Sequence, residues 1–256
     1  MGVKPRPVRM PEPFDVRSLS VTYRDGFHVG RHRHDWAQLV YARSGMMRVL
    51  VEGHIWLVPP TRAIWIPAQV DHEFSVKGEV AFRTLYVAAG RGSAVTREMG
   101  AFEVAPFLGE LILHILSLQM LDPNVPGHDR LAGLLIDLIN DAQAIDLMLP
   151  LPCDPRARRL ADHFLSQPED CTDLPRLAAT VGASVRTLQR CFVAEASMTV
   201  DAWRQKARLI ASTAALSSGS SVTMAALDCG YESPSAFIAA FKRQFSMTPR
   251  QFAKMR

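Results

Sequence analysis

Two sets of side chains in this sequence are spaced for chemistry. The first is His32 and His34, two residues apart; in a strand, residues i and i+2 share a face. Imidazoles paired in this way are ligands for a transition metal or the polar lining of a pocket. The second lies in "SVRTLQRCF", Ser184 to Phe192. Read as a helix, this segment turns Leu188, Cys191 and Phe192 to a core and sets Arg186, Gln189 and Arg190 together on another face, at i,i+3 and i,i+4 spacing. Arginine can pair bidentately with guanine and glutamine with adenine, so this face suits the edges of base pairs.

The element that carries the second set occurs twice. Ser-Met-Thr at 197–199 returns at 246–248, displaced by 49 residues, with Trp203 or Phe252 four residues beyond each Thr. Leu188, Phe192 and Ala196 are matched by Phe237, Phe241 and Phe245 at the same displacement, and Ala178 and Gly182 by Ala226 and Gly230 at 48. Each copy predicts a short helix with a small residue, a turn at Gly, and a second helix capped by Ser184 or Ser233, the latter with Pro234 at its first position. Alanine lets the two helices approach, and Gly takes the positive φ that ends the first. This is a helix-turn-helix plan built twice. The segment between, "VDAWRQKARLIASTAALSS", predicts one long helix closed by Gly219. On it Arg204, Lys206 and Arg208 suit either DNA backbone contact or a solvated face.

Charge and texture divide the chain in the same way. Leu151–Arg256 holds 14 Lys and Arg against 9 Asp and Glu, whereas the first 150 residues hold 15 against 16. The basic excess therefore sits in the C-terminal part, which favours a polyanionic partner there. Residues 19–88 are rich in Val, Ile, Tyr, Trp and Thr in short runs, and "RVLVEGHIWLVPP" reads as strand, turn at Glu52-Gly53, strand, predicting an antiparallel β domain. Residues 101–145 read as helical. Phe102–Leu121 predicts a buried or interface helix, its polar residues excluding a membrane span. Leu131, Leu134, Leu135, Leu138, Ile139 and Ala142 form one apolar stripe on a following helix. "LMLPLPCDP", with three prolines in nine residues, predicts a semi-rigid connector. Met1–Pro13 is basic and Pro-rich without the apolar core of a signal peptide. The four cysteines have no CxxC spacing and read as reduced thiols.

Residues from about Asp154 to Arg256 resemble the AraC/XylS family of bacterial transcription regulators. The motifs that carry the likeness are "SVRTLQRCF", "WRQKARL" and "GYESPSAFIAAFKRQFSMTP". The resemblance implies seven helices in two helix-turn-helix units, each placing its second helix in the major groove of double-stranded DNA. It assigns base contacts to Arg186, Gln189 and Arg190 in the first unit. In the second the matching positions are Pro234, Ser235, Ile238 and Ala239, of which Ser235 can hydrogen-bond a base and Ile238 can touch a thymine methyl. Ser184, Ser233, Lys242 and Arg243 suit phosphates. The sequence departs from the family at Ser197 and Ser246, usually Gly, and at Val200, usually Pro.

The segment from Gly26 to Gly45 is similar to the first motif of the cupin family, with Gln38 where metal-binding cupins usually have Glu, and "PAQVDH" is similar to part of the second, bringing in His72. The resemblance implies a small β-barrel around a ligand pocket. His32, His34 and His72 then hold a transition metal, with Gln38 as a weak fourth ligand, or line a metal-free polar pocket, or belong to the scaffold. Trp36, Tyr41, Trp56 and Trp65 are candidate pocket walls.

The expected fold is α+β: a cupin-like antiparallel β-barrel with helices, followed by an all-α double helix-turn-helix domain. The expected domains are a sensor over residues 1–98, a helical dimerisation segment over 99–146, a linker over 147–155 and the DNA-binding domain over 156–256. The expected protein is a cytoplasmic, homodimeric transcription regulator, not an enzyme. Its partners are double-stranded DNA, a small-molecule effector and, if it activates, RNA polymerase, with no membrane. A metal-dependent cupin enzyme and a constitutive DNA binder with a purely dimerising β domain are the rivals.

Overall fold

The structure is a computed structural model and describes residues 14–254. The stretch Met1–Pro13, on which the signal-peptide reading rests, lies outside the described residues. The chain separates into two compact units, one of residues up to Glu52 with Val58–Asp146, the other of Gly53–Leu57 with Leu147–Lys254.

The first unit is built on antiparallel strands. They are β1 (Val16–Tyr23), β2 (His28–His32), β3 (Ala37–Ala42) and β4 (Met46–Val51), then, past β5 (His54–Val58), β6 (Arg62–Ile66), β7 (His72–Lys77) and β8 (Val80–Val87). The one-turn helix α1 (Ala89–Gly92), β9 (Gly100–Glu103), α2 (Pro106–Leu118), β10 (Met120–Leu121) and α3 (Pro126–Asp141) follow. One sheet runs β10-β1-β8-β3-β6-β9, and β2 and β4 flank β7 in a second. The expected turn between β4 and β5 is present, with Glu52 and Gly53 both at positive φ (47° and 78°), as a two-residue hairpin requires.

Strands β3 and β6 are buried at every position, so both faces of their sheet are covered. One face, with Ala37, Leu39, Tyr41, Trp65, Leu85 and Val87, packs on α2 and α3 through Leu108, Ile112, Ile115, Leu135 and Ile139. The other carries Gln38 and Thr84 and meets the second sheet where Phe82 stacks on Phe74, ring centroids 5.2 Å apart.

Two helical expectations are corrected here. Phe102–Leu121 is not one helix: Phe102 lies in β9, and α2 begins only at Pro106, whose ring admits no preceding turn of helix. It ends where Gln119 turns to φ 65°, and Met120–Leu121 then pairs with β1. On α3 the deeply buried positions are Ala132, Leu135, Ile136 and Ile139. Leu131, Leu134, Leu138 and Ala142 of the expected stripe are only half-buried at its edge.

The second unit opens with β5 paired to β11 (Met148–Pro150), in register Trp56↔Met148. The expected connector therefore contains a strand. Its prolines concealed a period of two in Leu147, Leu149 and Leu151, all buried, and proline is tolerated at the end of such a short strand. Seven helices follow among the described residues: α4 (Pro155–Ser166), α5 (Leu174–Thr180), α6 (Val185–Ala196), α7 (Val200–Ser218), α8 (Val222–Asp228), α9 (Pro234–Phe245) and α10 (Pro249–Lys254). Side-chain caps start most of them: Asp154, Asp173, Ser184, Thr199, Ser221 and Ser233 each accept from a backbone N–H of the first turn.

The repeated Ser-Met-Thr has a physical explanation. Ser197 and Ser246 end α6 and α9 in the left-handed region, at φ 53° and 57°. Thr199 and Thr248 then accept from the amides of Ala202 and Gln251 and start α7 and α10. The aromatic one turn later, Trp203 or Phe252, is buried. Trp203 packs on Phe164 and Phe192, with ring centroids 6.2 and 5.7 Å away, and its Nε1 donates to the Pro150 carbonyl at 2.6 Å. Trp203→Phe, which leaves that carbonyl without its donor, is expected to cost about 1–3 kcal/mol. Trp203→Ala is expected to cost about 3–5 kcal/mol, and urea denaturation of the two variants checks the difference.

Candidate nucleic-acid interface and histidine site

The two helix-turn-helix units are α5–α6 and α8–α9. In each, a positive-φ glycine makes the turn, Gly182 at 70° and Gly230 at 71°. The next residue's amide then returns to the alanine that recurs in both copies: Ala183 to the Ala178 carbonyl and Tyr231 to that of Ala226, both at 3.0 Å. Ala178 and Ala226 are buried where the helices meet. Leu188, Cys191 and Phe192 of α6, and Phe237, Ala240 and Phe241 of α9, are buried. The opposite faces are exposed: Arg186, Gln189 and Arg190 on α6, and Pro234, Ser235, Ile238, Ala239, Lys242 and Arg243 on α9. The hydroxyl oxygens of Ser184 and Ser233 accept from the amides of Thr187 and Ala236, at 3.1 and 3.2 Å. The Ser184 hydroxyl also lies 2.9 Å from that of Thr187.

Arg204 and Arg208 take neither of their two expected roles. The Arg204 guanidinium donates to the carbonyls of Thr172 and Asp170 and lies over the Phe164 ring, 4.9 Å from its centroid. Arg208 donates to the Pro168 and Asp170 carbonyls at 2.7 and 2.6 Å. Both cations tie the α4–α5 loop to α7, and burial lowers the Arg204 pKa. Lys206 is half-buried.

In the first unit the three histidines come together. His32 ends β2 and is directly across from His72 at the start of β7, while His34 stands in the loop beyond β2 rather than on its face. A shift of register between Val29 and His32 accompanies this arrangement. One ring nitrogen from each of the three lies within 4.8 Å of the others. The ring centroids are 4.3 Å apart for His32–His72 and 5.1 Å for His34–His72. Each Nδ1 meets a backbone carbonyl: Gly30 for His32 and Val70 for His72 at 2.9 Å, and Trp36 for His34 at 2.5 Å. A carbonyl can only accept, so in each neutral ring the proton sits on Nδ1 and Nε2 carries the lone pair. His72 is 3% exposed, and burial lowers its pKa to about 4, which keeps it neutral. Buried Gln38 reaches His34 with Oε1, 3.1 Å from Nε2, and donates from Nε2 to Thr84 Oγ1 at 3.0 Å.

The candidate walls divide. Tyr41 and Trp65 belong to the core under α2 and α3, on the sheet face opposite Gln38, and do not line the histidine cluster. The alternation of side chains along a strand decides this, because 39, 41 and 65 share one face and 38 and 66 the other. Trp36 is half-buried and contributes its carbonyl to His34. Trp56 lies in the second unit, half-buried opposite Met148. The aromatic against the cluster is instead Tyr86, edge-on to His34 at 5.4 Å, with its phenol pushed up to about 12 by burial. Its signal in sequence was its place on β8 two residues from Thr84, readable only once the register of β3 and β8 is known.

A β-rich unit with a polar cluster between its sheets, joined in one chain to two helix-turn-helix units with exposed basic faces, defines a ligand-binding transcription regulator. Residues 15–151 match the AraC-like ligand binding domain and residues 177–255 a helix-turn-helix domain, and the chain belongs to this AraC-type family of DNA-binding regulators, not to an enzyme family. It is 30% identical over 223 residues to the HTH-type transcriptional regulator NimR of Escherichia coli (strain K12), covering 86% of this chain and 81% of that one. It is 33% identical over 103 residues to the HTH-type transcriptional regulator RipA of Corynebacterium glutamicum, covering 40% and 31%. A crystal structure of ToxT from Vibrio cholerae O395 aligns over 94% of this chain and 98% of that one at 10% identity, with a TM-score of 0.41. Among the described residues no helix is long and apolar enough to cross a membrane.

The two turn glycines have different surroundings, which sets an expectation for their variants. A Cβ at Gly182 meets nothing within 4 Å, whereas one at Gly230 stands 3.1 Å from the Arg208 guanidinium. Gly182→Ala is expected to cost about 1–2 kcal/mol for the left-handed backbone alone. Gly230→Ala is expected to cost more, because it also displaces Arg208 from its carbonyls. Thermal unfolding of the two variants side by side measures the difference.

Proposed function

We propose that this chain is a cytoplasmic, sequence-specific regulator whose DNA binding responds to a small-molecule effector held in its first unit. The observation that carries the DNA reading is the exposed trio Arg186, Gln189 and Arg190 on α6, side chains able to make bidentate contacts to base edges. On α9 the equivalent surface is Pro234, Ser235, Ile238 and Ala239, with Lys242 and Arg243 beside it. The sensor is assigned to residues 1–98 and dimerisation to the helical segment 99–146. Residues 156–256 bind DNA, and 147–155 join the two. If the protein activates, RNA polymerase is a further partner.

The halves of the DNA site then differ in information. Base contacts discriminate by about 1–3 kcal/mol each, whereas phosphate contacts carry little sequence information. Arg190→Ala is expected to relax the preference at a particular base pair. Lys242→Ala is expected to weaken all sites alike and to lower the salt slope by about one counterion. Selection from a random DNA pool, with each variant and with and without effector candidates, measures both effects. Equal sharpness under α6 and α9 refutes the division, and binding that no effector alters favours the constitutive reading.

We also propose a homodimer through α3. Leu131, Leu134 and Leu138 recur at i, i+3 and i+7 and are only half-buried within one chain, and Phe107 on α2 is 62% exposed. Sedimentation of the full chain at micromolar concentration is expected to give a dimer that Leu134→Glu dissociates. A monomeric parent protein would rule the dimer out.

A further inference from the structure

Arg208 touches both helix-turn-helix units with one side chain. Its Nε and Nη2 donate to the carbonyls of Pro168 and Asp170, at 2.7 and 2.6 Å. Those carbonyls belong to the segment that leads into α5, whose first turn Asp173 caps. Arg204, one turn earlier on α7, donates to Asp170 and Thr172 in the same segment. The other side of the Arg208 guanidinium is covered by the turn between α8 and α9. A Cβ on Gly230 would lie 3.1 Å from its Cζ, 3.1 Å from Nη1 and 3.2 Å from Nη2. Near-equal distances to those three atoms put Gly230 over the flat face of the group rather than at its edge. The same stretch of α7 reaches this turn twice more. The Cys229 thiol donates to the Arg208 carbonyl at 3.1 Å, and Gln205 Nε2 donates to Tyr231 Oη at 3.1 Å. Beside these contacts a cleft of about 460 Å³, lined by Asp201, Gln205 and Tyr231 with Arg204 and Arg208, interrupts the packing of α7 on the turn.

The two helix-turn-helix units are joined by α7, buried along most of its length. A rod of this kind fixes how far apart two bodies stand but not their rotation about its axis. We propose that Arg208 is a positioning residue that fixes this rotation, and so sets the spacing of the two DNA half-sites that α6 and α9 accept together. The consequence for DNA rests on the reading above, in which both helices face the duplex. A guanidinium suits the task. Its planar fork holds two carbonyls at once while its face is packed against, whereas an ammonium is a point charge with neither fork nor face. One base pair inserted between the half-sites moves one of them by about 3.4 Å along and about 35° around the duplex axis. A protein of fixed rotation cannot follow that change and loses base contacts under one helix.

The test uses the full-length chain in two measurements. A site is selected from a random DNA pool with the parent protein, and one base pair is then inserted or removed between its two half-sites. The parent is expected to lose affinity about tenfold or more on either change, the equivalent of one lost base contact. Arg208→Lys, which keeps the charge and loses the fork, is expected to bind all three spacings within about threefold and to keep its base preference inside each half-site. Gly230→Ala is expected to broaden the spacing in the same way, because its Cβ displaces the guanidinium. Gly182→Ala, with the same positive φ but nothing within 4 Å of its Cβ, is expected to keep the parent's preference. Misfolding cannot mimic this pattern, since it weakens every spacing and erases base preference as well. The second measurement needs no DNA. Spin labels on unnatural side chains at exposed Val193 of α6 and Ala239 of α9, in chains diluted with unlabelled protein, report the distance between the two helices. The expected result is a narrow distribution that broadens in Arg208→Lys. An unchanged distribution overturns the proposal, as does a spacing preference as sharp in Arg208→Lys as in the parent. A selected parent site with only one half-site counts instead against the two-helix DNA reading, and the distance distribution then decides the role of Arg208 by itself.

Discussion

The DNA-binding unit depends on the burial of one helix. Along α7, Val200, Trp203, Ala207, Leu209, Ile210, Ser212, Thr213 and Leu216 are all buried, so the helix is enclosed on most of its circumference. It contacts α4 and α6 on one side of the repeat and α8, α9 and α10 on the other. At 1.5 Å per residue its 19 residues span about 28 Å, close to one turn of B-DNA. The separation of the two exposed helix faces is therefore set by a packed rod. Its buried hydroxyls do not compromise that packing: Ser212 and Thr213 donate to the carbonyls of Leu209 and Ile210, three residues back.

The repeat was legible because it is written in residues with few alternative uses. Glycine at a positive-φ turn, serine or threonine at a helix start and an aromatic one turn further on each have a distinct conformational reason, and two copies reinforce one another. Ser197 and Ser246 show the limit of that reading. They occupy left-handed positions where glycine would be free of strain, and the sequence alone marks them as departures without saying which conformation they take. Helix boundaries in the first unit were less legible. From Phe102 onward an apolar run served a strand, a helix and a second short strand in turn, since burial favours the same residue types in all three. The prolines of 147–155 hid β11 for a related reason: they announce a break in helix, and the alternating leucines between them announce a strand.

The histidine cluster was visible as residue types but not as geometry. His32 and His34 were expected on one strand face, yet β2 ends between them, and His34 reaches the cluster from a loop because its Nδ1 is bound to the Trp36 carbonyl. Neither Thr84 nor Tyr86 could be found without the register of β3 on β8, in which Gln38 pairs with Tyr86 and Val40 with Thr84. The same register places Tyr41 and Trp65 on the far side of the sheet. A one-residue change of register would exchange the two sets of side chains, which is why aromatic content alone could not identify the lining.

Replacing a carboxylate with Gln38 changes what the cluster can hold, and the surrounding hydrogen bonds determine how. A buried carboxylate would accept from Thr84 and attract a cation by charge. The amide must donate at one end, and that obligation fixes which end faces His34. The direction of the chain from Gln38 to Thr84 to the Leu39 carbonyl is set in turn by the backbone of β3, whose carbonyl cannot donate. A single backbone carbonyl thus determines the polarity of the whole cluster. The buried strand β3 that supports the helices on one face holds the polar side chains of the other face in a single orientation.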